Sequence, residues 1–213
     1  MTKNSNVFIR FLYSFSIYIV ASFIYLAVNS YFKDTVISYT ISTAVTILIL
    51  YTIFRNKIKK DIINFKDDFK NNLPHIIVVP AILIGLEIIV SLILSKLGIY
   101  SSNQLAGEDI IKNSNFLIIF YTAILAPIFE EMVFRLPYHY SSSNKILTYI
   151  VYSVVFALTH IMTIDNLLSL IYIIPYLLLS FGIGYNFYKT DNIFMSTIVH
   201  IINNSIAVML ILL

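Results

Sequence analysis

The residues of this chain that can do chemistry are few, and they stand in apolar surroundings. The run Pro127-Ile128-Phe129-Glu130-Glu131-Met132-Val133-Phe134-Arg135 holds two adjacent carboxylates and a guanidinium. Consecutive residues of an α-helix diverge by about 100°, so Glu130 and Glu131 face different neighbours and take different roles. Arg135 follows Glu131 at the i, i+4 spacing where side chains meet, so the two form a buried ion pair that offsets the cost of both charges. Glu130 keeps no intrahelical partner, and a carboxylate at liberty to take and return a proton is a general base or acid. Pro127 removes one helical hydrogen bond just ahead of the carboxylates and opens or kinks the helix there.

Two histidines share this polar economy. Phe156 precedes His160 by one turn and packs beside it, and His200 shares a helical face with Asn204, so that imidazole and carboxamide can point at one atom. From the turn near Ser142, Glu130 lies about 18 Å and His160 about 27 Å into the apolar layer at the helical rise. His200 lies about 15 Å in from the turn at Lys189 to Asp191. Helix tilt absorbs these differences and lets the three share one layer, provided the fourth helix continues past Arg135 to about Tyr140 despite Pro137. Glu87 reads as a hydrogen-bonded structural group, with Asn203 beside Asn204 as a further pocket-shaping residue. His75 and His139 read as wet interfacial residues near span ends.

The elements that must position these groups follow from composition. The chain has 213 residues, 59% hydrophobic and 12% charged, with a mean hydropathy of +0.85; soluble domains carry about 25% charged residues. That excludes an ordinary soluble domain. The absence of cysteine excludes disulfides, thiolate zinc sites and cysteine nucleophiles, and a net charge of +3 is too small and scattered for nucleic acid. A span needs about 20 apolar residues, and seven windows qualify: Val7 to Val28, Val36 to Phe54, His75 to Leu97, Phe116 to Tyr138, Ile146 to Met162, Leu167 to Phe187 and Ile193 to Leu213. The expectation is an all-α, polytopic membrane helical bundle of about seven transmembrane helices, a single integral domain over residues 1–213. The first span is longer than a signal-peptide core and reads as retained.

Orientation follows from the segment Arg55 to Asn72, which holds Arg55, Lys57, Lys59, Lys60, Lys66 and Lys70 and belongs in the cytoplasm by the positive-inside rule. The amino terminus is then cytoplasmic too. Inside segments collect Lys3, Arg10, those six, Arg135, Lys145 and Lys189, eleven of the fourteen basic residues, against Lys33, Lys96 and Lys112 outside. The same segment carries Asp61, Asp67 and Asp68 among Ile58, Ile62, Ile63 and Phe69, and reads as a solvated, lipid-contacting loop or interfacial helix.

The arrangement Glu130-Glu131-x-x-x-Arg135, Phe156-x-x-x-His160 and His200-x-x-x-Asn204 resembles, in order, the three motifs of the CPBP intramembrane proteases, the family of the CaaX prenyl endopeptidases and the bacterial Abi bacteriocin-immunity proteins. The resemblance covers the carboxyl-terminal half, about residues 116–213; the first three spans carry no such signature. It implies a helical bundle whose cavity faces cytoplasm and bilayer, in a cell membrane and of bacterial type. It also implies hydrolysis of a peptide bond in a membrane-associated peptide or protein, with no nucleic-acid partner. On that resemblance Glu130 looks like the base that activates water and His160 its assistant, while His200 and Asn204 look like the stabilisers of the oxyanion. Glu131 and Arg135 look like the support pair, with Phe156, beside His160, as a further supporting residue. Zinc held by Glu130, His160 and His200 is one version of this chemistry; water activation without metal is the other, favoured by the lack of a His-Glu-x-x-His signature. A non-catalytic immunity or regulatory protein of the same fold is the alternative class, and a transporter a third, for which no repeat symmetry is visible.

Overall fold

The computed structural model describes residues 6–99, 102–112, 116–139, 144–161 and 167–213, so Lys3, Tyr140, Ser142 and Met162 lie outside the described residues. Those residues form helices and turns with no strand: α1 (Val7–Phe32), α2 (Thr35–Lys96), α3 (Ser102–Lys112), α4 (Phe116–Phe120), a π-helical turn (Tyr121–Leu125), α5 (Ala126–Phe134), a 3₁₀ turn (Leu136–Tyr138), α6 (Lys145–Thr159), a second 3₁₀ turn (Leu167–Tyr172), α7 (Ile173–Thr190) and α8 (Ile193–Leu212). The chain is an all-α membrane helical bundle. Among the described residues five helical stretches are long and apolar enough to cross a membrane: Val7–Phe32, Thr35–Lys96, Phe116–Tyr138, Leu170–Thr190 and Ile193–Leu212.

The expected second and third spans both fall inside α2, which runs unbroken through the polar segment between them. The reason lies in spacing: Phe54, Ile58, Phe65, Phe69 and Ile76 recur at helical intervals and pack on the core throughout. The expected span from Ile146 is the short one, a helix of 15 residues, or about 22 Å against a hydrocarbon layer of about 30 Å. His160 ends it. Its Nδ1 lies 2.9 Å from the carbonyl oxygen of Phe156 and takes up an orphan acceptor of the last turn.

The polar segment of α2 is not simply a solvated surface. Lys57 and Asp61 are 4% and 3% exposed, and Lys57 Nζ donates to Asp61 Oδ1 and to the Asp191 carbonyl. Asp61 Oδ2 accepts from the Ile193 N–H at 3.0 Å, and Asn192 Nδ2 donates to the Asp61 carbonyl and to Asp68 Oδ2 at 3.0 and 2.7 Å. One carboxylate thus satisfies the first amide of α8 and locks the α7–α8 turn onto α2.

The fourth span does not run as a helix to Tyr140. Pro137 has no N–H to offer the preceding turn, the α-helix stops at Phe134, and a 3₁₀ turn follows. Arg10, wholly buried, donates from Nη1 to the Pro137 carbonyl at 2.9 Å and ties α1 to this turn. His139 next to it is buried against Asp191, with Nδ1 3.4 Å from Oδ2; burial lowers its pKa and Asp191 opposes that. His75 is exposed, with its ring edge on Tyr185.

Two clusters make the core. Leu50, Phe54, Met132, Phe134, Tyr152 and Phe156 pack around the middle of the bundle, and Ile76, Leu83, Ile183, Met195 and Val199 join α2, α7 and α8. At Gly184 a Cβ would stand 2.7 Å from the Tyr152 ring; its absence lets the phenol donate to the Gly184 carbonyl at 2.8 Å.

Asp61→Ala strands Lys57 in a buried setting and removes the α8 cap, so it should cost about 3–5 kcal/mol. A lower thermal midpoint of detergent-purified protein is expected, with most of it regained in Lys57→Met/Asp61→Leu; a wild-type midpoint for the single variant contradicts the account.

Candidate active site

Glu130, His160 and His200 meet. Glu130 Oε2 is 3.6 Å from His200 Nε2 and 3.9 Å from His160 Nε2. They arrive from three elements: α5, the carboxyl end of α6, and the second turn of α8. The side chains of Glu130 and His160 are 20% and 22% exposed, whereas His200 is 2% exposed, so the first two face open space and the third backs them.

The partners of each imidazole assign its protons. His160 Nδ1 faces the Phe156 carbonyl, which only accepts, so Nδ1 carries the hydrogen and Nε2 turns a lone pair to Glu130. The ring lies between Phe156 and Tyr176, with centroids 4.5 and 4.8 Å away. His200 Nδ1 is 3.1 Å from Glu131 Oε1 and donates to it. Its Nε2 then also turns to Glu130.

Glu131 is held in turn by Arg135, Nε to Oε2 3.4 Å, both side chains without exposure. Arg135 is itself fixed by Ser180 Oγ, which accepts from Nη2 at 3.2 Å, and by the faces of Phe156 and Tyr152 at 4.7 and 5.4 Å. The spacing-derived pair exists; its link to His200 was not visible in sequence, because nothing in a helical register relates residue 131 to residue 200. Phe156 is wholly buried at the centre of this group, and its ring also stands against His200.

Asn204 Nδ2 donates to the Thr122 carbonyl at 3.1 Å. The local cause is Pro127. In the π turn the Ala126 N–H reaches back five residues to the Tyr121 carbonyl, and in that register the Thr122 carbonyl needs an N–H at residue 127, which proline lacks. Asn204 supplies the donor, and one further amide hydrogen remains on its nitrogen. Glu87 faces the Asn203 carboxamide from α2.

Glu130 and His160 open onto a cavity of about 550 Å³. Its opposite wall comes from α1 and α2, including Tyr18, Tyr25, Tyr39 and Thr43, with Tyr121 from the π turn. These residues carry no motif. A signal was nevertheless present: Tyr18, Ala21, Ser22 and Tyr25, then Tyr39, Ser42, Thr43 and Thr46, each follow the i, i+3, i+4, i+7 pattern of one helical face.

Two imidazole lone pairs and a carboxylate are suitable donors for zinc, which needs each of them about 2.0–2.2 Å from one point. Among the described residues no group of three or more His, Asp or Glu side chains is arranged to hold a metal ion.

Glu131→Gln removes the charge that both Arg135 and His200 rely on. It should cost about 3–5 kcal/mol, read as a lower yield of folded protein and a lower melting midpoint, where unchanged melting would show the pair to be dispensable.

No curated protein and no solved structure matches the chain significantly. Residues 112–206 match the family model described as type II CAAX prenyl endopeptidase Rce1-like. The matched segment contains Glu130, Glu131, Arg135, Phe156, His160, His200 and Asn204, and the match supports the CPBP and CaaX intramembrane protease family.

Proposed function

We propose that the protein is an endopeptidase that hydrolyses a peptide bond of a membrane-associated peptide or protein with a water activated by Glu130. The single observation that carries this reading is the convergence of His160 Nε2 and His200 Nε2 on Glu130 Oε2 at the end of a cavity. The family-model match over residues 112–206 supports the reaction class.

The steps follow from the protons assigned above. Water enters from the cavity and is held by Glu130 Oε2, with the His160 lone pair as a second acceptor that orients it. Glu130 takes its proton as the oxygen attacks the carbonyl carbon, and the carbonyl electrons move to its oxygen. The remaining Asn204 amide hydrogen stabilises that oxyanion, and His200 Nε2 adds to it once it carries a proton, with Nδ1 still held by Glu131. Glu130 then returns the proton to the leaving nitrogen as the C–N bond breaks. Arg135 and Glu131 take no part in proton transfer; they keep His200 in place.

The amino terminus and the Arg55–Asn72 segment face the cytoplasm in this proposal; with the apolar stretches of α2 on either side of that segment crossing separately, as two of seven spans, eleven of fourteen basic residues lie inside. The chain has no cysteine to interfere with labelling. An Asn64→Cys variant should resist an impermeant thiol reagent in intact cells and react after lysis; reaction in intact cells means the opposite orientation.

Glu130→Gln should abolish cleavage at wild-type melting temperature, and Asn204→Ala should lower kcat by about 10² to 10³ with little change in KM, the usual effect of one missing oxyanion donor. Chelators should leave the purified wild type active. Turnover by Glu130→Gln, or a tightly held zinc required for activity, overturns the mechanism.

A further inference from the structure

The middle of α2 has two faces. The inner one, with Phe54, Ile58, Asp61, Phe65 and Phe69, is spent on the core and on the α7–α8 turn. The outer one is Lys59, Ile62, Ile63, Lys66 and Lys70, which follow the i, i+3, i+4, i+7, i+11 series of a single helical stripe. All five are exposed, Ile62 at 56% and Ile63 at 79%. Arg55 and Lys60 beside the stripe are exposed as well, against the exposed carboxylate of Asp67. Asp68 turns inward, where its Oδ2 accepts from Asn192 Nδ2 at 2.7 Å. Cations therefore outnumber anions on the outer face, and an apolar pair lies between them.

Two observations put this stripe at the membrane surface. First, α2 runs unbroken from one apolar stretch, residues 36–54, to another, residues 75–97; with each in the bilayer, the polar segment between them leaves and re-enters it within about 27 Å of helix. Second, the neighbouring end of α7 carries a headgroup-level pattern. The Tyr185 ring has the His75 ring edge against it at 5.8 Å and the Lys189 ammonium over its face at 5.3 Å, and Tyr188 stacks on Tyr149 at 5.1 Å. Aromatic rings with a snorkelling cation mark the boundary between hydrocarbon and headgroups. In water the two isoleucines would stay hydrated; at that boundary they enter the acyl layer while the lysine stems carry their charges to lipid phosphates. Inorganic phosphate or an acidic polypeptide would match the lysines and leave the apolar pair without a partner.

We infer that the outer face of α2 is a binding surface for anionic phospholipid, with Lys59, Lys66 and Lys70 on the headgroups and Ile62 and Ile63 in the acyl boundary. The surface is independent of the reaction at Glu130. Its inner side carries Asp61, which caps α8 at Ile193, so bound lipid also steadies the start of the helix that holds His200.

The test uses delipidated full-length protein in a neutral detergent, titrated with soluble dioctanoyl phosphatidylglycerol or phosphatidylcholine. Binding is read as lipid adducts in native mass spectrometry and, separately, as the thermal midpoint. The anionic lipid should bind at least about tenfold tighter than the zwitterionic one and raise the midpoint further, since one lysine at an anionic surface is worth about fivefold in affinity. Lys59→Gln/Lys66→Gln/Lys70→Gln should remove that preference, and Lys59→Arg/Lys66→Arg/Lys70→Arg should keep it. Ile62→Ser/Ile63→Ser should weaken both lipids and preserve their ratio. The same charge change away from the stripe, Lys33→Gln/Lys96→Gln/Lys112→Gln, should leave the preference intact. Glu130→Gln should bind both lipids as the wild type does, which keeps the lipid surface and the peptidase reaction separately testable. Equal binding of the two lipids by wild type, equal loss in the two glutamine triple variants, or saturation by inorganic phosphate or poly-glutamate at the concentrations that suffice for the lipid overturns the inference.

Discussion

The ion pair between Glu131 and Arg135 is the constraint on which the site depends. Both groups are removed from solvent completely, and two charges in such a setting persist only where their partners offset the cost of desolvation. Arg135 spends its charge on Glu131, on Ser180 and on two aromatic faces, and Glu131 spends its second oxygen on His200. The consequence reaches Glu130: a histidine whose Nδ1 is tied to a fixed carboxylate presents Nε2 in one direction, toward that residue. Three helices are coupled through this pair, since Glu131 lies on α5 and meets His200 of α8, while Arg135 meets Ser180 of α7.

Pro127 is the second such device. A proline in a spanning helix leaves a carbonyl without its partner, and in an apolar layer that carbonyl must be satisfied from elsewhere. The chain widens into a π turn before the proline and brings Asn204 across from α8 to the Thr122 carbonyl. The break therefore draws Asn204 to the π turn and ties α8, which holds His200, to the segment that leads into α5 and Glu130. A hydrogen-bond defect in one element becomes the positional rule for another.

At the far end of the bundle a separate polar cluster does comparable work. Lys57, Asp61 and Asn192 are nearly buried, and Asp61 caps α8 at Ile193. Because α8 starts there, its register, and with it the depth of His200, is set by a residue in the middle of α2. The cavity places the same demand on the amino-terminal helices, which supply the wall that Glu130 and His160 face. The segment of the chain without motifs is thus structurally continuous with the segment that has them.

The class of fold was legible from composition and apolar windows, because an apolar layer leaves the helix as the economical way to satisfy a backbone. The Glu131–Arg135 pair was legible because a helix relates i to i+4 by geometry alone, and the separate fate of Glu130 followed from the same rule. The likeness of the three motifs to one family was legible too. Tertiary structure alone decided what crosses between helices. His200 meets Glu131 and Asn204 meets Thr122 across gaps in sequence that no periodicity encodes. The continuity of α2 through its polar segment also needed the third dimension, since Lys57 and Asp61 look like solvated charges until Asn192 and Ile193 are brought onto them. The stop after Phe134 was written in Pro137, but whether a proline kinks a helix or ends it depends on what meets the freed groups. Here Arg10, from 127 residues away, takes the Pro137 carbonyl, and the helix ends.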